Sequence, residues 1–284
     1  MHSGACSFTR RESAFSIEAM FNQEARSTLS GRGLLLSMLI ISAASAQLFA
    51  DKTTEVTNPE LRTPTGPELP KSKDLRPQFK TWNLLPKSQR KRNTCSVFTT
   101  TAALEFAASK HYGKGTRLSV EYLNWACNQV IHNETVDRGQ FFRDLLKGFE
   151  KYGICLEADM PYKDRFDPQL KPSEAAIESA KQIESLGLIV HWVKQWNSKP
   201  GVTDKHLLEI KKVLAKGYPM AAGANHSRLL VGYRDDAHQA GGGTFLTKDS
   251  GAGAFKTVTY EFVKDNVRDL FWVETPAVTE SSHN

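Results

Sequence analysis

Gln89-Arg90-Lys91-Arg92-Asn93-Thr94-Cys95-Ser96-Val97-Phe98 is the stretch on which the reading of this chain turns. From there on, Val97, Leu104 and Ala108 share one helical face, flanked by Phe98 and Phe106, so a helix is expected over 95–110. Cys95 then stands in its first turn. The helix dipole and the free backbone N–H groups there favour a thiolate, the nucleophilic form of sulfur. The plainer alternative is a small apolar Cys buried at a helix start.

Two distant stretches weigh against that alternative. In Asn225-His226-Ser227-Arg228-Leu229-Leu230-Val231-Gly232-Tyr233 a His opens an apolar run and should stand at a strand start. A satisfied core His is the bland reading of such a residue. In Phe245-Leu246-Thr247-Lys248-Asp249-Ser250-Gly251 a short strand ends on an acid. Thiol, imidazole and carboxylate are the parts of a Cys-His-acid nucleophilic site.

At this point the chain resembles the papain-like cysteine peptidases. In that family the nucleophile lies near the mature N-terminus, with His and Asn roughly 130–150 residues on; here His226 follows Cys95 by 131 positions and Asp249 by 154. Gln89 matches the family Gln six residues before the nucleophile. Asp74-Leu75-Arg76 resembles the mature start, and Leu118-Ser119 with Leu123 the opening of a second helix. Asp137-Arg138-Gly139 resembles the glycine stretch that pairs with substrate backbone, and 152–162 the segment after the third helix. Without the inhibitory pro-segment of secreted members, the resemblance is to a bacterial-looking branch. The departures are specific. The Trp after the nucleophile is Ser96, and the Cys three residues before it is Arg92, so that family disulfide cannot form. The family Asn is Asp249, and the Trp that shields the His–Asn bond is Gly251, which is expected to leave the bond more open to water.

The resemblance implies an α+β fold of two lobes, a helical one over about 90–180 and an antiparallel β lobe over about 185–275, with the site in the cleft between them. It implies a cysteine endopeptidase in which Cys95 attacks, His226 shares the ion pair and protonates the leaving amine, and Asp249 orients the imidazole. Gln89 and the Cys95 backbone N–H would stabilise the oxyanion, a job that contributes about 3 kcal/mol per donor. Gly139, Arg138 and Asn225 would bind substrate. The same site suits a transpeptidase or amidase, and Ser96 and Gly251 leave room for a non-catalytic peptide-binding relative.

Composition narrows the rest. The chain of 284 residues is 40% apolar, ample for a core. Its formal charge is +6, with the basic residues dispersed apart from Lys87, Arg90, Lys91 and Arg92. That cluster reads as a solvated loop, or as positive potential near Cys95; no aromatic-interleaved basic stripe supports nucleic-acid binding. With no Cys-x-x-Cys spacing a structural zinc is not expected, and no cofactor is implied. The expected partner is a peptide or protein substrate, and the expected state a monomer. Cys127 and Cys155 are left either as a bridge or as two buried thiols.

Gly33 to Ala46 is an apolar run preceded by Arg26 and Arg32 and ending Ala44-Ser45-Ala46, so 1–46 reads as a signal peptide with a long n-region, cleaved after Ala46. A start at Met20, or an uncleaved anchor, is the alternative. A secreted or periplasmic location follows. Residues 47–73, rich in Pro, are expected to be a flexible leader to a peptidase domain over 74–278. Within it helices are expected over 95–110, 120–130, 140–152, 173–184 and 204–216. Strands are expected over 186–193, 218–224, 227–233, 244–248, 256–262 and 270–274, with Gly241-Gly242-Gly243 as a hairpin turn.

Overall fold

Every residue from Ser96 to Ser109 is buried in the computed structural model, so the helix begun by Cys95 runs through the interior instead of lying on it. A helix covered on all sides need not be amphipathic; Ala102, Ala103, Ala107 and Ala108 let neighbours come close. The structure describes residues 68–276 apart from Glu134 and Arg138. The expected signal peptide, most of the leader, Arg138 and residues 277–278 lie outside the described residues.

In chain order the elements are β1 (Ser72–Asp74), α1 (Arg76–Thr81), α2 (Cys95–Tyr112), α3 (Val120–Ile131), α4 (Phe142–Tyr152), α5 (Glu174–Glu184), β2 (Ile189–Lys194), α6 (Asp204–Ala215), β3 (Met220–Gly223), β4 (Arg228–Asp235), β5 (Gly243–Asp249), β6 (Ala254–Thr259), α7 (Tyr260–Asn266) and β7 (Asp269–Glu274). The fold is α+β, helices first and an antiparallel sheet after. Ser119 caps α3 as its sequence predicts, accepting from the Tyr122 N–H at 2.9 Å. Gly148 lets α4 settle on α3, because a Cβ there would meet the Cys127 backbone N at 2.8 Å. Gly153 ends α4 at φ 68°, as expected of the residue after a helix.

The sheet has the order β2-β7-β3-β4-β5-β6, every pairing antiparallel. β5 pairs along most of one edge of β4, and the other edge is shared by β3 and β1. This corrects the expectation of a flexible leader up to 73: Ser72 and Lys73 are paired with Arg234 and Tyr233, and the Tyr233 hydroxyl donates to the Pro70 carbonyl at 2.7 Å. The pairing is a main-chain affair, so it left no apolar pattern to read. The expected strand over 256–262 is also corrected. It ends at Thr259, whose side chain accepts from the Phe262 N–H at 3.1 Å and caps α7.

α2 packs against β3, β4 and β7 on one side and α3 and α4 on the other. One continuous apolar core joins helices to sheet, from Phe106, Leu123 and Leu145 to Leu229, Phe245 and Phe271. A smaller cluster around Tyr122, Cys155 and Met160 lies under α5.

Candidate active site

Three elements deliver three side chains to one place. Cys95 is the first residue of α2, so its N–H has no acceptor within the helix. His226 ends the turn from β3 into β4. Asp249 is the last residue of β5, where burial alternates residue by residue and leaves Phe245, Thr247 and Asp249 on the covered face. Because Leu229 pairs with Lys248, the start of β4 lies beside the end of β5. That register puts Asp249 against His226: the ring Nε2 and Asp249 Oδ1 are 2.9 Å apart. The Cys95 side chain lies close enough to the same ring for each to shift the other's titration. With Nε2 occupied by Asp249, Nδ1 is the nitrogen left for sulfur.

The electrostatics follow from these contacts. Burial pushes the Cys95 thiol up, but the interaction with His226 and its charge, with hydrogen bonds from the Ser227 and Ser96 backbone N–H groups, bring it below the ordinary thiol value. His226 is raised to about 9, first by its bond to Asp249 and then by its interaction with Cys95, against the opposing effect of burial. Burial alone would raise Asp249. The bonds from His226 and the Ala252 N–H, and the charges on His226 and Arg228, hold it well below the usual carboxylate range instead. The other two described cysteines differ sharply. Cys127 and Cys155 are free, buried thiols, which decides between bridge and separate thiols, and burial pushes both up to about 12.

Gln89 is pinned at both ends of its amide. Nε2 donates to the Arg92 carbonyl at 2.8 Å and Oε1 accepts from the Ser250 hydroxyl at 2.8 Å, while its backbone N–H donates to the Ser250 carbonyl at 2.9 Å. An amide nitrogen carries two N–H bonds, so one donor is left beyond the bond to Arg92. Arg92 departs from the expected solvated basic loop, whereas Lys87, Arg90 and Lys91 are exposed as expected. Arg92 is 4% exposed, with Nη1 donating to Glu121 at 2.6 Å, and Nε and Nη2 donating to Asp137 at 3.0 and 3.2 Å. Its charge is balanced there and is not spent on Cys95.

Ser96 and Gly251 also acquire reasons. The Ser96 hydroxyl accepts from the Gln140 N–H at 3.3 Å, tying α2 to the segment after Gly139. Ser96, Gly139, Phe141, Trp196, Arg268 and Asp269 line a cavity of about 250 Å³ beside Cys95. Phe141 and Trp196 stand at its mouth, 44% and 38% exposed, with ring centroids 5.3 Å apart. Asp269 is buried in its wall and raised to about 6 by that burial, with Lys194 pulling the other way. A Cβ on Gly251 would come within 3.0 Å of His226 Cε1 and 3.3 Å of Asp249 Oδ1. Backbone thus lies directly over the His226–Asp249 bond, and the Ala252 N–H donates to Asp249 Oδ1 at 3.0 Å. The expectation that Gly251 leaves this bond open is corrected on the Asp249 side, where the residue is 5% exposed.

No protein-family model matches the sequence, and no curated protein matches it. Solved structures do. A cysteine protease of Xylella fastidiosa, xylellain, superposes with a TM-score of 0.55 at 20% identity, over 73% of this chain and 87% of that one. The fold is that of the papain-like cysteine proteases. The proform of the ragweed pollen allergen Amb a 11, a cysteine protease, gives 0.55 at 18% identity over 75% and 68% of the two chains. Digestive procathepsin L 3 from the larval midgut of Tenebrio molitor gives 0.50 at 17% identity over 74% and 71%. At such identities the papain-like fold is what the likeness establishes, and the chemistry has to come from the residues.

Among the remaining expected site residues, Asn225 is exposed on the turn just before His226, and Gly139 is exposed at the cavity edge. The sequence reading passed over Arg228, whose Nε donates to Asp249 Oδ2 at 2.9 Å. It stands two residues after His226 at the start of a strand, and the period of two was the signal. It also passed over Asp269, Trp196 and the Ser227 N–H. Among the described residues no group of three or more His, Cys, Asp or Glu side chains converges as a metal site.

Proposed function

We propose that the protein is a cysteine endopeptidase in which Cys95, His226 and Asp249 carry out peptide hydrolysis. The observation that carries this reading is one imidazole placed between Asp249, at 2.9 Å, and the Cys95 side chain, with which it interacts. Each group favours the charged form of the other, so thiolate and imidazolium stabilise each other.

Sulfur attacks the scissile carbonyl, and the carbonyl oxygen takes the negative charge between the Cys95 N–H and the Gln89 amide. His226 gives its proton to the leaving amine as the C–N bond breaks, leaving an acyl-thioester on Cys95. Water then loses a proton to His226 and attacks the thioester, releasing the carboxylic acid and the thiolate. Substrate backbone runs along Gly139. The cavity beside Cys95 takes one substrate side chain, with Phe141 and Trp196 at its mouth and the oppositely charged Arg268 and Asp269 in its wall. On the composition of residues 33–46 the protein acts outside the cytoplasm, after cleavage following Ala46.

The experiment is product analysis on a library of blocked peptides with wild-type and Cys95→Ala protein. Internal cleavage with uptake of water, absent in Cys95→Ala, supports the reading. Products joined to an added amine would turn it into acyl transfer. Cleavage that persists in Cys95→Ala would overturn it.

A further inference from the structure

Asp249 is held from two sides. Oδ1 takes the His226 ring at 2.9 Å and the Ala252 N–H at 3.0 Å, while Oδ2 takes Arg228 Nε at 2.9 Å. The same guanidinium donates through Nη1 to the His226 carbonyl at 2.9 Å. It therefore grips both the acid and the backbone of the residue that the acid orients. Phe262 from α7 covers its outer side, with the Arg228 Cζ 5.5 Å from the ring centroid. A planar guanidinium with several fixed donors can do this; an ammonium would have to choose one acceptor.

We propose that Arg228 is a positioning and charge-balancing residue for the site: it locks Asp249 on the His226 ring and offsets its negative charge. The proposal rests on the assignment of Cys95, His226 and Asp249 made above. Beside the imidazole, Asp249 and Arg228 together carry no net charge, so the ring meets a strongly oriented acceptor without the full field of a lone carboxylate. The charged and titratable groups against His226 are then Cys95 from α2 and Asp249 from β5, with Arg228 of β4 acting through Asp249. Removing a nearby cation favours the protonated ring. Loss of the Arg228 charge therefore raises the midpoint of His226, whereas loss of its grip on Asp249 weakens the bond that raises the ring and lowers that midpoint.

The test reads His226 directly, by its imidazole proton resonance across pH in full-length Cys95→Ala protein, with the resonance identified by its absence in His226→Gln. Arg228→Gln, which keeps a donor for Asp249 without the charge, is expected to raise the midpoint, and Arg228→Lys to leave it within a few tenths. Arg228→Met, which loses the grip as well as the charge, is expected to show a smaller rise than Arg228→Gln. Equal midpoints in all the folded variants, or a rise in Arg228→Lys as large as that of the neutral variants, overturns the proposal. The titration needs no peptidase activity, so a chain that cleaves nothing leaves this result readable and speaks against the function alone.

Discussion

Two arginines bracket the nucleophile and the base, and each binds carboxylates, yet they do different work. Arg92, three residues before Cys95, has a side chain 3% exposed; it holds Glu121 and Asp137, donates to the Lys163 carbonyl at 2.9 Å and sits 4.8 Å from the Tyr162 ring centroid. Arg228, two residues after His226, holds Asp249 with a side chain 22% exposed. The pairing chemistry is the same and the depth is not. In the interior a partner cannot be removed without stranding a charge away from water, so the Arg92 cluster fixes the position of the segment carrying Gln89 and Cys95. Arg228 itself is partly open to water, which takes up part of a lost interaction on its side although Asp249 is buried. There an ion pair expresses itself less in stability than in the titration of its neighbour.

The largest effect expected is therefore on the deep cluster. Arg92→Ala leaves Glu121 and Asp137 uncompensated and should cost about 3–5 kcal/mol of stability, read as a fall in the urea midpoint. A loss under about 1 kcal/mol would show that depth is not what separates the two arginines. A smaller effect, in pH rather than stability, is expected from Asp249→Asn. His226 is raised to about 9 chiefly by Asp249. The charged pair is present below that value and lost as pH rises through it, so the alkaline limb of the pH–rate profile should lie near 9. With an amide in place of the carboxylate, and Arg228 left unbalanced, the imidazolium is disfavoured and the limb moves down. A limb that stays put or moves up would remove Asp249 as the orienting acid.

The same contrast explains what could be read from the sequence. Cys95, His226 and Asp249 were legible because each sits at the end of an element with a local signature: a helix start, a strand start, and the last covered residue of an alternating strand. The Ser119 cap and the stop at Gly153 were legible for the same reason. Arg92 was not, since its partners Glu121 and Asp137 lie 29 and 45 positions away and a cluster of basic residues over 87–92 looks solvated. β1 was illegible because its pairing is made by backbone on an edge that belongs to β4. α7 carried its signal in Thr259 with Glu261 in the first turn, but the alternating Val258, Tyr260 and Phe262 read as strand. The cavity at Asp269 is assembled from α2, the segment before α4, the loop after β2 and the start of β7, which no local pattern encodes.

The central claim is that Cys95 is held as a thiolate by His226, and the rate of its alkylation tests this most directly. The measurement is iodoacetamide labelling at pH 6, followed residue by residue by peptide mass spectrometry in wild-type and His226→Ala protein. An ordinary thiol of pKa about 8.5 is only about 0.3% thiolate at that pH. Cys95 is predicted to label far faster than such a thiol, Cys127 and Cys155 to stay unlabelled, and His226→Ala to bring Cys95 down to ordinary thiol behaviour. Labelling of Cys95 no faster than a free thiol, or labelling untouched by His226→Ala, would contradict the account.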